Sequence, residues 1–299
     1  MKHDFRIIAA LLVFFFLAQI VGLFFVYNDV EVEEKVTDTG EIIRTVYHPE
    51  TALGARPEVT NFDAVLMILF SVLVGTSFIL LIVKFNKLNI WKGFFFFAVF
   101  FSITIAIGVF IQWELAVITG LVLSALKLLK RGILVHNVTE VLIYTGIAVL
   151  FAPLFEPLWV IVLLLAISVY DAFAVWQSKH MIKMAEFQIK SEVFAGLSIP
   201  YKRRDKKSKS SRSGTKATQA ILGGGDVAFP LIFAASVMES LIKLGGIGMP
   251  IFFKTLAIPL MTAIALLALF VYGKRGRYYP AMPFVTVGAL VGYGLILVL

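Results

Sequence analysis

Cysteine is absent from this 299-residue chain, which excludes disulfide bridges, thiol catalysis and metal sites with cysteine ligands. Histidine is scarce as well. The four histidines are spread along the chain without the spacing that metal ligands require: His3, His48, His136 and His180. We therefore expect neither a metal ion nor a cofactor.

Charged residues are also few, at 15% of the chain, whereas hydrophobic residues make up 60% and include 28 phenylalanines. An average soluble domain carries about 25% charged residues. This composition excludes a soluble globular protein and predicts an all-α, polytopic membrane protein that lies in a lipid bilayer. The formal net charge of +8 does not indicate a nucleic-acid partner, because the chain lacks any basic and aromatic binding module.

Nine apolar runs are long enough to form transmembrane helices, because a helix of about 17–25 residues crosses a hydrocarbon core of about 30 Å. The first run is longer than the apolar region of a signal peptide, so we interpret it as a retained span. The predicted spans are residues 7–27, 63–85, 91–111, 113–129, 138–153, 157–177, 219–241, 249–272 and 280–299.

The basic loops indicate how the chain crosses the membrane, because cytoplasmic loops carry an excess of Lys and Arg. All basic loops fall on one side if the N terminus is cytoplasmic and the C terminus lies outside. We expect this orientation in the plasma membrane. The bases after spans two, four and eight are Lys84, Lys87 and Lys92; Lys127, Lys130 and Arg131; and Lys274, Arg275 and Arg277.

Three parts follow from this pattern. Residues 1–177 hold six spans, residues 178–218 form a basic cytoplasmic linker, and residues 219–299 hold three spans.

Asn137-Val138-Thr139 matches a glycosylation sequon but faces the cytoplasm in this orientation, so we interpret it as polar entry into a helix.

Two aspartates lie inside predicted spans, Asp171 in span six and Asp226 in span seven. Each lies six or seven residues from the cytoplasmic end of its span, at a depth of roughly 9–11 Å. On adjacent antiparallel helices the two carboxylates can therefore meet and hold one proton between them. Such a pair can catalyse aspartyl proteolysis, in which the ionised carboxylate activates water and the neutral one protonates the carbonyl oxygen. A proton- or ion-coupled transporter with the two acids as a relay is the alternative.

A glycine triplet, Gly223-Gly224-Gly225, comes directly before Asp226. Glycine removes side chains where a backbone must come close, which suits tight helix packing or an extended peptide laid beside the acid. The triplet also allows the helix to begin late and leaves backbone at membrane depth accessible to water.

Three motifs in this order resemble those of the presenilin and signal peptide peptidase family of intramembrane aspartyl proteases. Tyr170-Asp171 resembles its Y-D motif, and Gly223-Gly224-Gly225-Asp226 fits its G-x-G-D motif. Pro280-Ala281-Met282-Pro283 resembles its P-A-L motif, with Met in place of Leu. A cytoplasmic N terminus and a second proline in the third motif are features in which this chain resembles the presenilin branch of the family. Its compact loops resemble those of an archaeal presenilin homologue.

The resemblance implies catalytic roles for Asp171 and Asp226 and transmembrane proteins as substrates. It also implies that the other motif residues shape the active site: Tyr170, Gly223, Gly224, Gly225, Pro280, Ala281, Met282 and Pro283. Presenilins work in a complex with other subunits, and the sequence leaves the need for such partners open.

The two prolines of the third motif also support a structural expectation. Neither donates a backbone hydrogen bond, so the backbone of Ala281 and Met282 is expected to stay unpaired and to face a cavity. There it would hold an extended substrate.

Overall fold

The computed structural model describes residues 5–36, 42–130, 132–177, 187–188, 191, 193–201, 218–273 and 279–298. Within these residues the chain is mostly helical, and long apolar helices dominate. This confirms the prediction of a helical, multi-pass membrane protein. Most of the predicted basic linker, including residues 202–217, lies outside the described residues.

In chain order the helices are α1 Phe5–Asp29, α2 Asn61–Lys84, α3 Leu88–Gly108, α4 Trp113–Leu129, α5 Ile133–Phe151, α6 Pro157–Trp176, α7 Gly224–Gly245, α8 Met249–Thr255, α9 Ala257–Tyr272 and α10 Met282–Val298. Among the described residues, seven segments are long and apolar enough to cross a membrane, and α8 and α9 together form one of them. With 17 residues each, α4 and α10 are at the lower limit for a span. The count of nine spans therefore stays a prediction.

Two predicted helix boundaries are wrong, and one span with the predicted bounds contains a break. α5 begins at Ile133 rather than at residue 138, because the polar residues His136 and Asn137 interrupt the apolar run in the sequence. The predicted span 249–272 is divided after Thr255, since Pro259 has no N–H to donate to the Thr255 carbonyl. The predicted span 219–241 becomes helical only at Gly224.

α7 lies at the centre of the bundle. Of its membrane-spanning window 72% is buried, compared with 11% for α2 at the periphery. It contacts α1, α5, α6 and α10. The helix that carries Asp226 is thus the one that most of the other helices pack around.

α9 and α10 approach each other closely at two glycines of α10. A Cβ atom on Gly288 would lie 2.7 Å from the Met261 carbonyl oxygen, and one on Gly292 would lie 2.6 Å from the Ile258 Cα. Their four-residue spacing places both glycines on one helix face, as in the small-residue interfaces of membrane helices. This packing determines where α10, and therefore its first residue Met282, lies in the bundle.

Two short antiparallel hairpins complete the fold. β1 (Glu31–Val36) pairs with β2 (Ile42–Tyr47), and β3 (Gly196–Tyr201) pairs with β4 (Thr218–Gly223). The second hairpin was not predicted, because β3 falls in the predicted linker and nearly all of β4 in a predicted helix. A short apolar run such as that of β4 cannot be told from a helix segment by periodicity.

A buried polar cluster joins the first hairpin to the end of α7 opposite Asp226. His48 Nδ1 lies 2.9 Å from Asp29 Oδ2, His48 Nε2 lies 3.4 Å from Glu239 Oε2, and Arg56 Nη2 lies 2.6 Å from Asp29 Oδ2. Burial lowers the pKa of His48, but hydrogen bonds to both acids and their charges outweigh it and raise the pKa to about 9. At neutral pH the charged ring therefore links α1 to α7.

The close packing of α9 and α10 predicts that Gly292→Ala lowers the melting temperature in detergent, because overpacking costs about 1–3 kcal/mol. Gly294 on the same helix provides the matched control, since a Cβ there meets nothing within 4 Å. Gly294→Ala should leave the melting temperature unchanged or raise it, because Ala favours helix by about 1 kcal/mol. Equal melting temperatures for Gly292→Ala and the wild type would contradict the packing.

Candidate active site

Asp171 lies on α6, where its side chain is buried. Its Oδ2 accepts a hydrogen bond of 3.1 Å from the backbone N–H of Met282, and the backbone N–H of Ala281 also bonds to this carboxylate. Met282 is the first residue of α10, so the unpaired N–H groups and the positive dipole end of this helix are directed at Asp171. This arrangement stabilises negative charge on the carboxylate.

Asp226 is the third residue of α7, which follows β4 directly, and its side chain is partly buried. A Cβ on Gly223 would lie 3.0 Å from Asp226 Oδ2, and the Gly223 backbone bonds to the same carboxylate. α6 packs on α7, and both helices contact α10, whose Met282 N–H is bonded to Asp171. The two predicted aspartates therefore lie on helices that meet at one junction.

The route by which Asp226 reaches this site differs from the prediction. Seven residues of helix from Gln219 were expected to carry the chain to the depth of Asp226. Instead β4 ends at Gly223, and Asp226 lies in the first turn of α7, while Asp171 lies five residues before the end of α6 at Trp176. A strand rises about 3.3 Å per residue, whereas a helix rises about 1.5 Å. Fewer residues of strand than of helix are therefore needed to reach the depth of Asp226 in the membrane.

The glycines of the triplet have different surroundings. A Cβ on Gly224 would lie 3.2 Å from the Tyr144 ring, closer than ordinary contact, whereas one on Gly225 would meet only Phe229 of its own helix at 3.6 Å. A side chain at Gly223 or Gly224 would thus crowd Asp226 or Tyr144. The packing gives no such reason for a glycine at Gly225.

Tyr170, the other residue of the first motif, contacts a different helix from its neighbour Asp171. Its hydroxyl lies 2.9 Å from Thr76 Oγ1 of α2. It therefore joins the peripheral α2 to the helix that carries Asp171.

The Pro280-Ala281-Met282-Pro283 segment differs from its expected conformation. The Ala281 carbonyl accepts hydrogen bonds from the backbone N–H groups of Phe284 and Val285, and the Met282 N–H is bonded to Asp171. The expected unpaired backbone facing a cavity is wrong. The segment is the start of α10, with Pro283 in the first turn, where no N–H is needed.

A pair of hydroxyl groups fixes α6 against α10 beside this contact. Ser168 Oγ lies 2.7 Å from Thr286 Oγ1, and Thr286 Oγ1 lies 3.4 Å from the Leu164 carbonyl. Ser168 is one helical turn before Asp171, and Thr286 is one turn after Met282. The hydroxyl pair thus holds the two elements that form the Asp171 site.

Several polar residues near the site were not among the predicted site residues. Gln19 of α1 donates a 2.8 Å hydrogen bond to the Val227 carbonyl, next to Asp226. Glu140 and Tyr144 of α5 are buried and bonded to each other beside Gly224. Glu140 had a recognisable signal, because it is an acid within a predicted apolar span. In the described part of the chain, no three His, Asp or Glu side chains converge as metal ligands would.

Comparison with known families gives the class of the protein. A family model described as "Signal-peptide peptidase, presenilin aspartyl protease" matches residues 45–299. The chain belongs to this family. As a member it is an intramembrane aspartic endopeptidase, which confirms the resemblance of its motifs.

Solved structures share the fold of this family member. Two are each described as the structure of a presenilin family intramembrane aspartate protease, in space groups C222 and P2. The first is 18% identical, with a TM-score of 0.55 over 95% of this chain and 93% of its own. The second is 19% identical, with a TM-score of 0.56 over 97% of this chain and 96% of its own. No curated protein matches the chain significantly.

The hydroxyl pair between α6 and α10 predicts that Thr286→Val reduces the rate of proteolysis by about three- to tenfold, because a small displacement of the Asp171 carboxylate costs rate. Thr262→Val is the matched control. Thr262 is equally buried, but its hydroxyl bonds only to Ile258 of its own helix. Cleavage of a single-span reporter measures both variants, and an unchanged rate for Thr286→Val would contradict the role of the pair.

Proposed function

We propose that this protein hydrolyses peptide bonds within transmembrane segments of other membrane proteins, with Asp171 and Asp226 as the catalytic pair. The observation that carries the proposal is the position of the two aspartates on α6 and α7 where both helices pack against α10, whose Met282 N–H is bonded to Asp171. Both acids lie inside the helix bundle, and the protein belongs to a family of aspartyl proteases.

In the proposed mechanism the two carboxylates hold one proton between them. The ionised carboxylate accepts a proton from a water molecule, whose oxygen attacks the peptide carbonyl carbon. The neutral carboxyl group donates its proton to the carbonyl oxygen, which gives a neutral gem-diol. The carboxyl group that took the proton from water then donates it to the amide nitrogen, while the other carboxylate accepts a proton from one gem-diol hydroxyl. The C–N bond breaks, a new carboxyl and a new amino terminus leave, and the pair again holds one proton.

The N–H groups at the start of α10 support a specific role for the third motif. They hold the Asp171 carboxylate in place and stabilise its charge. The segment therefore acts through its backbone, and none of its side chains takes part in acid or base chemistry. We propose the remaining motif residues as active-site shaping residues: Tyr170, Gly223, Gly224 and Gly225.

A helical substrate must be unwound before its amide can be attacked, and its freed backbone then needs partners. β4 ends three residues before Asp226, so its backbone lies beside the catalytic pair. Addition of the extended substrate as a further strand would satisfy those backbone groups. This hairpin replaces the backbone of Ala281 and Met282 as the proposed substrate support.

The catalytic pair predicts that Asp171→Asn and Asp226→Asn each abolish cleavage of a purified single-span reporter, because one carboxylate cannot serve as acid and base at once. Asp63→Asn is the control, since Asp63 is an exposed acid in the first turn of α2. It should cleave at the wild-type rate. Analysis of the fragments by mass spectrometry locates the cut.

Substantial activity in either single variant would overturn the assignment of the pair. Wild-type activity should fall at both low and high pH, because full protonation and full ionisation each remove the shared proton. A transporter that used the same two acids as a relay would leave the reporter intact.

We also propose the nine-span arrangement in the plasma membrane, with a cytoplasmic N terminus and an external C terminus. The proposal is supported by the basic loops, although Lys127 no longer counts among them, because it lies within α4 and is buried. The division at residues 178–218 between a six-span part and a three-span part belongs to the same proposal.

Because the chain has no cysteine, single cysteines can be introduced without removing others. Thr45→Cys and a cysteine added at the C terminus should react with an impermeant thiol reagent added outside intact cells. Ser210→Cys should react only after the membrane is opened. Reaction of Ser210→Cys in intact cells would reverse the proposed orientation.

A further inference from the structure

A buried ion pair lies between α4 and α5, at the end of the bundle where Asp226 lies, and within the described residues it makes no hydrogen bond to either aspartate. Lys127 Nζ is 2.7 Å from Glu140 Oε1, and the two side chains are 2% and 0% exposed. Lys127 Nζ also donates a 3.1 Å hydrogen bond to Thr139 Oγ1. Because desolvation offsets most of the attraction in such a pair, stability alone does not account for it.

The second oxygen of Glu140 connects the ion pair to the β3–β4 hairpin. Glu140 Oε2 accepts a 3.0 Å hydrogen bond from the backbone N–H of Gly196, the first residue of β3, and a short one from the Tyr144 hydroxyl. One carboxylate thus joins a lysine, a strand and a tyrosine. Lys127 holds one of its oxygens, so the other stays directed at the strand.

Neighbouring side chains of α5 bind the same strand. Asn137 donates to the Ser198 carbonyl at 2.9 Å and accepts from the Ser198 N–H at 3.0 Å, which is the pattern of a neighbouring β-strand. His136 Nε2 lies 2.8 Å from the Gly196 carbonyl. One polar face of α5 therefore acts as a strand partner for β3.

The β3–β4 hairpin connects the polar face of α5 to Asp226. Gly196 is paired in register with Gly223, whose backbone bonds to the Asp226 carboxylate. The Tyr144 ring lies against Gly224 on the other side of the same junction. The polar face of α5 therefore contacts both the strand that pairs with the end of β4 and the first residue of α7.

We propose that Glu140, held by Lys127, is a positioning residue that fixes the β3–β4 hairpin and Tyr144 and thereby sets the position of the Asp226 carboxylate. The inference rests on the proposed function, because it assumes that Asp226 is catalytic. Glu140 does not contact the reacting atoms. Its loss should therefore reduce kcat and leave KM nearly unchanged.

Two double variants separate positioning from plain stability. Lys127→Met with Glu140→Leu replaces the ion pair by apolar side chains, which often preserves or raises stability. Here the Gly196 N–H and the Tyr144 hydroxyl lose their acceptor, so the melting temperature should fall, although the variant should still purify folded. Its kcat on the single-span reporter should fall by about ten- to hundredfold, because these two bonds no longer hold the hairpin and Tyr144. Lys127→Met with Glu140→Gln keeps an acceptor for both donors and should recover kcat to within about threefold of the wild type.

Wild-type kcat in the folded Lys127→Met, Glu140→Leu variant would overturn the inference. So would an equal loss of kcat in the two double variants, because the conservative change would then provide no rescue.

Tyr144→Phe provides a second test if the first pair of variants does not fold. It keeps the ring against Gly224 and removes only the hydroxyl bonded to Glu140. We expect kcat to fall by at least about threefold with an unchanged KM, since one charge-assisted hydrogen bond is lost. An unchanged kcat would contradict the connection between Glu140 and the catalytic site.

Glu239→Gln is the matched control for loss of a buried carboxylate. Glu239 lies on α7, is 5% exposed and is bonded to His48. It is 13 residues, or about 20 Å, along the helix from Asp226. This variant should lower the melting temperature without lowering kcat.

Asp226→Asn distinguishes failure of this inference from failure of the proposed function. If Asp226→Asn is inactive while the variants of Lys127, Glu140 and Tyr144 keep the wild-type kcat, only the positioning role fails. If Asp226→Asn is active, the proposed function itself fails.

Discussion

The contact between the start of α10 and the Asp171 carboxylate is the interaction on which the site depends. A carboxylate inside a membrane protein is costly unless hydrogen bonds compensate it. The backbone N–H groups of Ala281 and Met282 provide that compensation, so α10 must begin where it does. The close approach of α9 at Gly288 and Gly292 and the hydroxyl pair with α6 hold this helix start in position.

The same constraint explains the other buried charges described for this chain. Glu140 is paired with Lys127 at the end of the bundle near Asp226, and Asp29 is paired with His48 and Arg56 at the opposite end. Each cluster joins a helix to a hairpin. Charge burial therefore fixes the two irregular parts of the structure to the apolar bundle, where hydrophobic packing alone would not determine their position.

Sequence patterns predicted most of the bundle, because apolar runs of span length indicate membrane helices and acids within such runs indicate functional sites. The run from Gln219 to Gly223 was misassigned as helix, since its pairing with β3 is a contact across a linker and leaves no periodic signal. Asn137 was interpreted as helix-entry polarity, although its amide binds Ser198. Such side-chain bonds to distant backbone depend on the tertiary structure and could not be inferred from residue spacing.

The central claim is that Asp171 and Asp226 share one site, and cross-linking tests it most directly. The chain has no cysteine, so Asp171→Cys with Asp226→Cys would contain two thiols only. Dibromobimane becomes fluorescent when it joins two thiols. We predict fluorescence from the double variant and none from either single variant. Reaction of both single thiols with a monofunctional reagent, with no fluorescence from the double variant, would contradict the shared site.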